Sequence, residues 1–254
     1  MIAFLLIISL CGFSVHGSAI PTYDIRLQSP RIVGGVDAPD GGIPYQASLR
    51  TIFDSHFCGG SILSKNFVLT AAHCTVGQYP AFIKVTVGTN SLVSGGQSYA
   101  VSKLIVHEDY DASLIANDVS LVKLAQDIVF SNRVQPIELP AGDTEAGADL
   151  VLTGWGRTSY PGELPDNLQI INLKAVSVDT CQSLYSGINQ VFSSQICSLT
   201  KSGEGACHGD SGGPLVENGK VVGIVSWGMP CARGYPDVYT RVHSFKDWIV
   251  KNQQ

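Results

Sequence analysis

Val119-Ser-Leu-Val-Lys-Leu124 is an apolar run of strand length. Three more such runs recur along the chain: Phe67-Val-Leu-Thr70, Lys84-Val-Thr-Val87 and Val221-Val-Gly-Ile-Val-Ser-Trp227. Several alternate apolar and polar residues with period two, the pattern of a half-buried strand. Clusters of Gly, Pro, Asn and Ser punctuate them. The pattern argues for an all-β sandwich or barrel. One helix is expected, at the C-terminus. There Phe245, Trp248 and Ile249 fall on one face, and Ser244 with Asp247 forms a capping pair.

The chain has 254 residues, enough for one large domain or two small ones packed closely together. Hydrophobic residues make up 44% and charged residues 15%, the balance of a globular chain. The formal net charge is -5, and no run of Lys or Arg suits nucleic acid or an anionic membrane. The chain opens on Met1-Ile-Ala-Phe-Leu-Leu-Ile-Ile-Ser-Leu10, an apolar run too short to span a bilayer. Small residues follow at Gly17-Ser18-Ala19, so residues 1–17 are expected to be a signal peptide, with 19 as the alternative end. No Lys or Arg precedes the run, so the chain's own amine supplies its positive charge. A secreted product with no membrane anchor is expected.

Seven cysteines are present, and Cys11 falls in the signal segment. The other six, Cys58, Cys74, Cys181, Cys197, Cys207 and Cys231, imply three disulfides in an exported chain. Composition leaves all the pairings open. Neither C-x-x-C nor H-E-x-x-H occurs, so no metal site is expected.

Acyl transfer by a serine needs a base for the hydroxyl proton, an acceptor to orient that base, and donors for the oxyanion. Three stretches offer such parts. In Gly205-Ala-Cys-His-Gly-Asp-Ser-Gly-Gly-Pro214, Ser211 sits among glycines that let the amides of Gly209 and Ser211 converge. A glycine-rich hairpin and the nucleophile elbow of α/β-hydrolases both fit this stretch taken alone. In Leu69-Thr-Ala-Ala-His-Cys74, the histidine is followed directly by a cysteine that can staple it in place. His16, His56, His107, His208 and His243 read as exposed or core-packed rings. In Asn117-Asp-Val-Ser-Leu-Val-Lys-Leu124, Asp118 opens an apolar strand, where a carboxylate needs a partner. His73 is one candidate partner, and a plain strand cap is the competing reading.

Taken together, Thr70-Ala-Ala-His-Cys74, Asn117-Asp-Val-Ser-Leu121 and Gly209-Asp-Ser-Gly-Gly-Pro214 resemble the three catalytic blocks of the chymotrypsin/trypsin family. Arg31-Ile-Val-Gly-Gly35, His56-Phe-Cys-Gly-Gly60, Gly154-Trp-Gly156 and Ser226-Trp-Gly228 match further blocks of that family in order and spacing. An α/β-hydrolase would run Ser, Asp, His, and the chain ends too soon after Ser211 for such a sheet. A non-catalytic homologue serving as a binding module typically replaces a triad residue, and all three are intact.

The resemblance implies two packed six-stranded antiparallel Greek-key β-barrels with a C-terminal helix and an active site in the cleft between them. It implies an activation propeptide at 18–31 and a peptidase domain at 32–254, with halves at roughly 32–135 and 136–254. His73, Asp118 and Ser211 would be catalytic, and the amides of Gly209 and Ser211 would form the oxyanion hole. Cleavage between Arg31 and Ile32 by a trypsin-like protease would free an amine to pair with Asp210. The disulfides would be Cys58–Cys74, Cys181–Cys197 and Cys207–Cys231. Ser226, Trp227 and Gly228 would pair with an extended substrate. Gly205 would form the pocket floor, and Gly228 would leave the entrance open to Phe, Tyr, Leu or Met. Asp237 beside that floor is similar to the collagenolytic serine proteases of crabs, which also accept basic residues. From Lys84 to Val106 there is no carboxylate, so no calcium site is expected, and no cofactor. The short prosegment and three disulfides look most like an arthropod digestive chymotrypsin. Expected partners are protein substrates, the activating protease and protein inhibitors, with the enzyme itself a monomer.

Overall fold

The computed structural model describes residues 32–229 and 231–254. The signal-peptide and propeptide readings, Cys11 and Arg31 lie outside the described residues. A two-residue strand β1 (Val36–Asp37) opens the described chain. Six strands follow: β2 (Gln46–Thr51), β3 (His56–Ile62), β4 (Phe67–Thr70), β5 (Ile83–Val87), β6 (Gln97–Val106) and β7 (Ser120–Leu124). They close into an antiparallel barrel in the order β2-β3-β4-β7-β6-β5. Six more form the second barrel: β8 (Asp149–Gly154), β9 (Gln169–Val176), β10 (Gln195–Ser198), β11 (Pro214–Glu217), β12 (Lys220–Trp227) and β13 (Asp237–Arg241). Their order is β8-β9-β10-β13-β12-β11, closed by pairing of β11 with β8. The expected all-β, two-barrel architecture is therefore present. Closure removes the open edges that an apolar sheet would otherwise expose.

The two halves exchange their ends. β1 pairs with β9 of the second barrel, Val36 opposite Ile170. In return, α3 (Lys246–Asn252) buries Ile249 against the first barrel's core, together with Val242 and Phe245. The helix begins differently from the sequence expectation. Residues 242–245 form a 3-10 turn, Phe245 occupies the N-cap, and no side chain caps the helix. Burial of Phe245 in the shared core decides this start, because a packed aromatic outweighs a cap worth about 1 kcal/mol. Two short helices complete the fold, α1 (Ala72–Thr75) and α2 (Val178–Leu184). The second is capped by Ser177, whose hydroxyl accepts from Thr180 N.

All three disulfides take the pairing that the resemblance implied: Cys58–Cys74, Cys181–Cys197 and Cys207–Cys231. Between the barrels the contact is polar as well as apolar. Thr153 Oγ1 donates to Gln46 Oε1 at 2.7 Å, and Gly59 N donates to Ser211 O at 2.7 Å.

Candidate active site

β4 ends at Thr70 and the chain turns directly into α1, so His73 stands at the barrel's rim. The Cys58–Cys74 disulfide ties that turn to β3. Asp118 lies just before β7, the neighbour of β4, which brings it under His73. The Asp118 side chain is fully buried, and its oxygens are well supplied with donors. His73 N donates to Oδ1 at 2.8 Å, and His73 Nδ1 donates to Oδ2 at 2.8 Å. Ser226 Oγ, from the second barrel, donates to Oδ2 at 2.6 Å. Thr240 Oγ1 donates to the Asp118 carbonyl at 2.7 Å. Desolvating a carboxylate is tolerable when charge-assisted donors of this kind surround it. The strand-cap reading of Asp118 is set aside by this geometry. The contact also fixes the imidazole tautomer: Nδ1 carries the proton and Nε2 is left free as a base.

Ser211 is half-buried at the start of the Gly212-Gly213 turn, facing the cleft between the barrels. No hydrogen bond joins its Oγ to His73 Nε2 in this structure. Such contacts commonly tighten only when substrate is bound. Gly212 has φ +75°, and a Cβ there would collide with Thr70 Oγ1 and the Gly59 carbonyl. Gly209 has φ +104°, a conformation side chains rarely adopt, and it carries one of the two amides expected to face an oxyanion.

Asp210 is fully buried. Gly156 N donates to its Oδ1 at 2.7 Å and Cys207 N to its Oδ2 at 2.9 Å. Gly154 and Gly156 lack side chains where a Cβ would overlap this carboxyl, which gives the Gly154-Trp-Gly156 motif its physical reason. No cation faces Asp210 among the described residues, and burial pushes its carboxyl up to about 6. Ile32 is fully buried in the second barrel's core, and Val33 bridges to Gly205.

A pocket of about 140 Å³ opens beside Ser211, between the 206–208 segment, the end of β12 and Asp237. Ser226, Trp227 and Gly228 line it, as does His208 at the rim. Gly205 is buried beneath Asp237, and a Cβ on it would overlap Asp237 Oδ2. Asp237 therefore takes the place of a floor residue. Ala206 N donates to its Oδ2 at 2.7 Å. Burial, with a contribution from Asp210, pushes its carboxyl up to about 7. Tyr185 braces the wall: its hydroxyl donates to Pro236 O at 2.6 Å and accepts from Met229 N at 3.0 Å.

The His56-Phe-Cys-Gly-Gly60 block carries a contact that its sequence did not disclose. His56, expected as an exposed or core-packed ring, is part of a relay that ends at Gly209. Arg50 Nε donates to Ser48 Oγ at 3.0 Å. Ser48 Oγ is 2.8 Å from His56 Nδ1, and His56 Nε2 is 3.0 Å from the Gly209 carbonyl. A guanidinium only donates and a carbonyl only accepts, so every proton in the chain has one direction. Desolvation, aided by the charge of Arg50, holds His56 down at about 4 and therefore neutral. The buried arginine was the available signal: Arg50 lies mid-strand in β2 and is only 5% exposed. Its other nitrogens donate to the Leu92 and Ser91 carbonyls.

Cys58, His73 and Cys74, and likewise Cys207, His208 and Cys231, lie within metal-ligand range of one another. Their sulfurs are consumed in disulfides and offer no thiolate.

Comparison with known proteins agrees with this geometry. The family model described as Trypsin matches residues 32–249. The chain is 51% identical over 223 residues to Chymotrypsin-2 of Vespa crabro, spanning 87% of this chain and all of that protein. It is 43% identical over 236 residues to Trypsin-1 of Astacus astacus, spanning 87% of this chain and 99% of that one. Trypsin delta of Drosophila melanogaster is 36% identical over 255 residues, 99% of this chain and all of that protein. With a matching fold, a histidine–carboxylate pair and a serine in the cleft, the chain belongs to the trypsin family of serine endopeptidases.

Proposed function

We propose that this protein is a secreted endopeptidase, made as a zymogen, that cleaves after large apolar residues. Ser211 attacks the peptide carbonyl while His73 Nε2 takes its proton. Asp118 holds the imidazole in the correct tautomer and stabilises its charged form. The Gly209 and Ser211 amides receive the oxyanion. His73 then returns the proton to the leaving amine, and water repeats the sequence on the acyl-enzyme. The bond between His73 Nδ1 and the buried Asp118 is the observation that carries this reading.

Activation is by cleavage between Arg31 and Ile32. Support comes from Asp210, a buried carboxylate with no facing cation among the described residues. A new amine at Ile32 would supply the missing countercharge and set the adjoining Ser211 loop. A trypsin-like protease supplies the cut, and protein inhibitors of the cleft regulate the monomeric product outside the cell.

For specificity, preference for Phe, Tyr, Leu or Met before the scissile bond fits a pocket walled by Val225, Trp227 and Met229. Chymotrypsin-2 of Vespa crabro, by its name, points the same way. A second reading is favoured by Asp237: its Oδ1 faces the pocket without a hydrogen-bond partner among the described residues, so it can receive Arg or Lys. Expressing the precursor, cutting it after Arg31 and comparing Phe, Leu and Arg anilides tests both. Dominant Arg turnover overturns the apolar preference. Unchanged turnover in Ser211→Ala overturns the mechanism.

A further inference from the structure

Six of the twelve prolines in the chain stand directly after a large apolar residue. The pairs are Tyr79-Pro80, Leu139-Pro140, Tyr160-Pro161, Leu164-Pro165, Met229-Pro230 and Tyr235-Pro236. Tyr, Leu and Met are among the side chains that the pocket is proposed to prefer before the scissile bond. Two of the pairs fall in one segment between β8 and β9, Arg157-Thr-Ser-Tyr-Pro-Gly-Glu-Leu-Pro-Asp166. Among the described residues, no backbone N–H from 158 to 166 donates to another backbone group. Tyr160 there is 57% exposed. An untied, exposed segment can extend into a protease cleft as a strand. This one also covers the catalytic centre. Leu164 packs on Gly209, where an added Cβ would lie 2.8 Å from its Cδ2, and the Tyr160 ring lies 5.5 Å from that of His208.

We propose that these prolines protect the enzyme from cleavage by a second copy of itself, and that Pro161 and Pro165 shield the segment over Gly209. The inference rests on the specificity reading above. Hydrolysis requires His73 Nε2 to hand a proton to the leaving nitrogen. On a proline nitrogen a ring carbon replaces the hydrogen, and the ring fixes φ at about −65°. The ring crowds the approach of the imidazole, and a displacement of about 1 Å between reacting groups costs roughly 10²-fold. The other exposed side chains of the preferred type are guarded differently. Phe53 sits in a hairpin turn closed by Thr51 N donating to Ser55 O, and the Phe82 carbonyl accepts from Ile52 N. Leu114 lies between Asp111 and Ala116, whose backbones exchange two hydrogen bonds, and Leu184 ends α2. Backbone held in this way cannot straighten into a cleft. The exposed Tyr79 and Tyr160 lie outside helix and strand, and each is followed by proline.

The test uses the Arg31-cleaved enzyme, freed of the activating protease. Its substrate is the Arg31-cleaved Ser211→Ala protein, which cannot cut itself. That substrate should stay whole across 157–166. With Pro161→Ala and Pro165→Ala added, mass spectrometry should find cuts after Tyr160 and Leu164 appearing roughly 10²-fold faster. Adding Tyr160→Ser and Leu164→Ser to the proline-free substrate should restore resistance. Turnover of a Phe anilide by the same enzyme is measured alongside. Equal resistance with and without the prolines, at normal anilide turnover, overturns the proposal and leaves the specificity reading standing. Cuts after Tyr160 or Leu164 in the substrate that keeps its prolines overturn it as well. Continued cutting of the segment in the serine variant overturns it in favour of simple loosening of the loop. Absence of Phe anilide turnover overturns the specificity reading itself.

Discussion

Numbered from their own first strands, the barrels β2-β3-β4-β7-β6-β5 and β8-β9-β10-β13-β12-β11 have the same order. Their buried charges are handled differently. In the first barrel, Asp118 receives donors on both oxygens, and buried Arg50 donates to one hydroxyl and two carbonyls. In the second, Asp210 and Asp237 are buried with only backbone amides as donors, and both carboxyls are pushed up. The first barrel thus holds a completed arrangement. The second holds carboxyls with no cation facing them among the described residues. One topology can therefore supply a rigid base and a conditional pocket, because strand order sets positions and side-chain satisfaction sets readiness.

The sharpest way to break this contrast is Asp118→Asn. It should lower kcat by about 10⁴ with little change in KM, the loss characteristic of this family when the imidazole is left in the wrong tautomer. A small loss, measured on a Phe anilide, would mean that the first barrel is not the completed half.

The next effect separates precursor from cleaved enzyme. Asp210 has a raised carboxyl, so its ionisation opposes folding of the precursor. Precursor stability should fall as pH rises from about 4, the unfolded value, through about 6, the folded one. After cleavage, pairing with the Ile32 amine should keep the carboxyl charged and remove that fall, leaving stability flat over the same window. Tm measured against pH for the Ser211→Ala protein, before and after cutting at Arg31, checks this. In Asp210→Asn, the cleaved enzyme should lose roughly 10²–10³ in kcat, the scale of a broken buried pair. Parallel Tm curves for both forms would remove the conditional half of the comparison.

Arg50→Met should cost about tenfold in kcat at nearly constant KM, since it frees the Ser48–His56 relay without touching the pocket. Nitrogen NMR of the His56 ring should at the same time lose its single Nε2–H tautomer. Retained tautomer with lost activity would assign Arg50 a packing role only.

The smallest effect is on selectivity. Asp237 is neutral below about 7 and charged above it. The ratio of Arg to Phe turnover should therefore rise several-fold between about pH 6 and pH 8, and stay flat in Asp237→Asn. The ratio cancels the shared titration of the catalytic base.

Strand positions were legible where apolar runs are short and bounded: Phe67–Thr70 is β4 as expected, and Val221–Trp227 falls within β12. The C-terminal helix was legible by its apolar face. Its start was not, because burial of Phe245 in the core shared between the halves competes with local capping by Ser244. The motifs located His73, Asp118 and Ser211 one by one. Gly205 drew attention as the floor, yet it lies under Asp237, a partner 32 residues away that no local pattern connects to it.

Residue types and their spacing along the chain determined the family, the strand-rich architecture and the identity of the chemistry-bearing groups. Those depend on local pattern and on motifs that survive in one dimension. Only the folded chain decided which donors satisfy Asp118, that Arg50 and His56 reach Gly209, and that Asp210 and Asp237 face no countercharge among the described residues. Each is a contact between distant segments, set by barrel closure and by the docking of two barrels. The free energy of a buried charge depends on its three-dimensional neighbours and not on its place in the sequence.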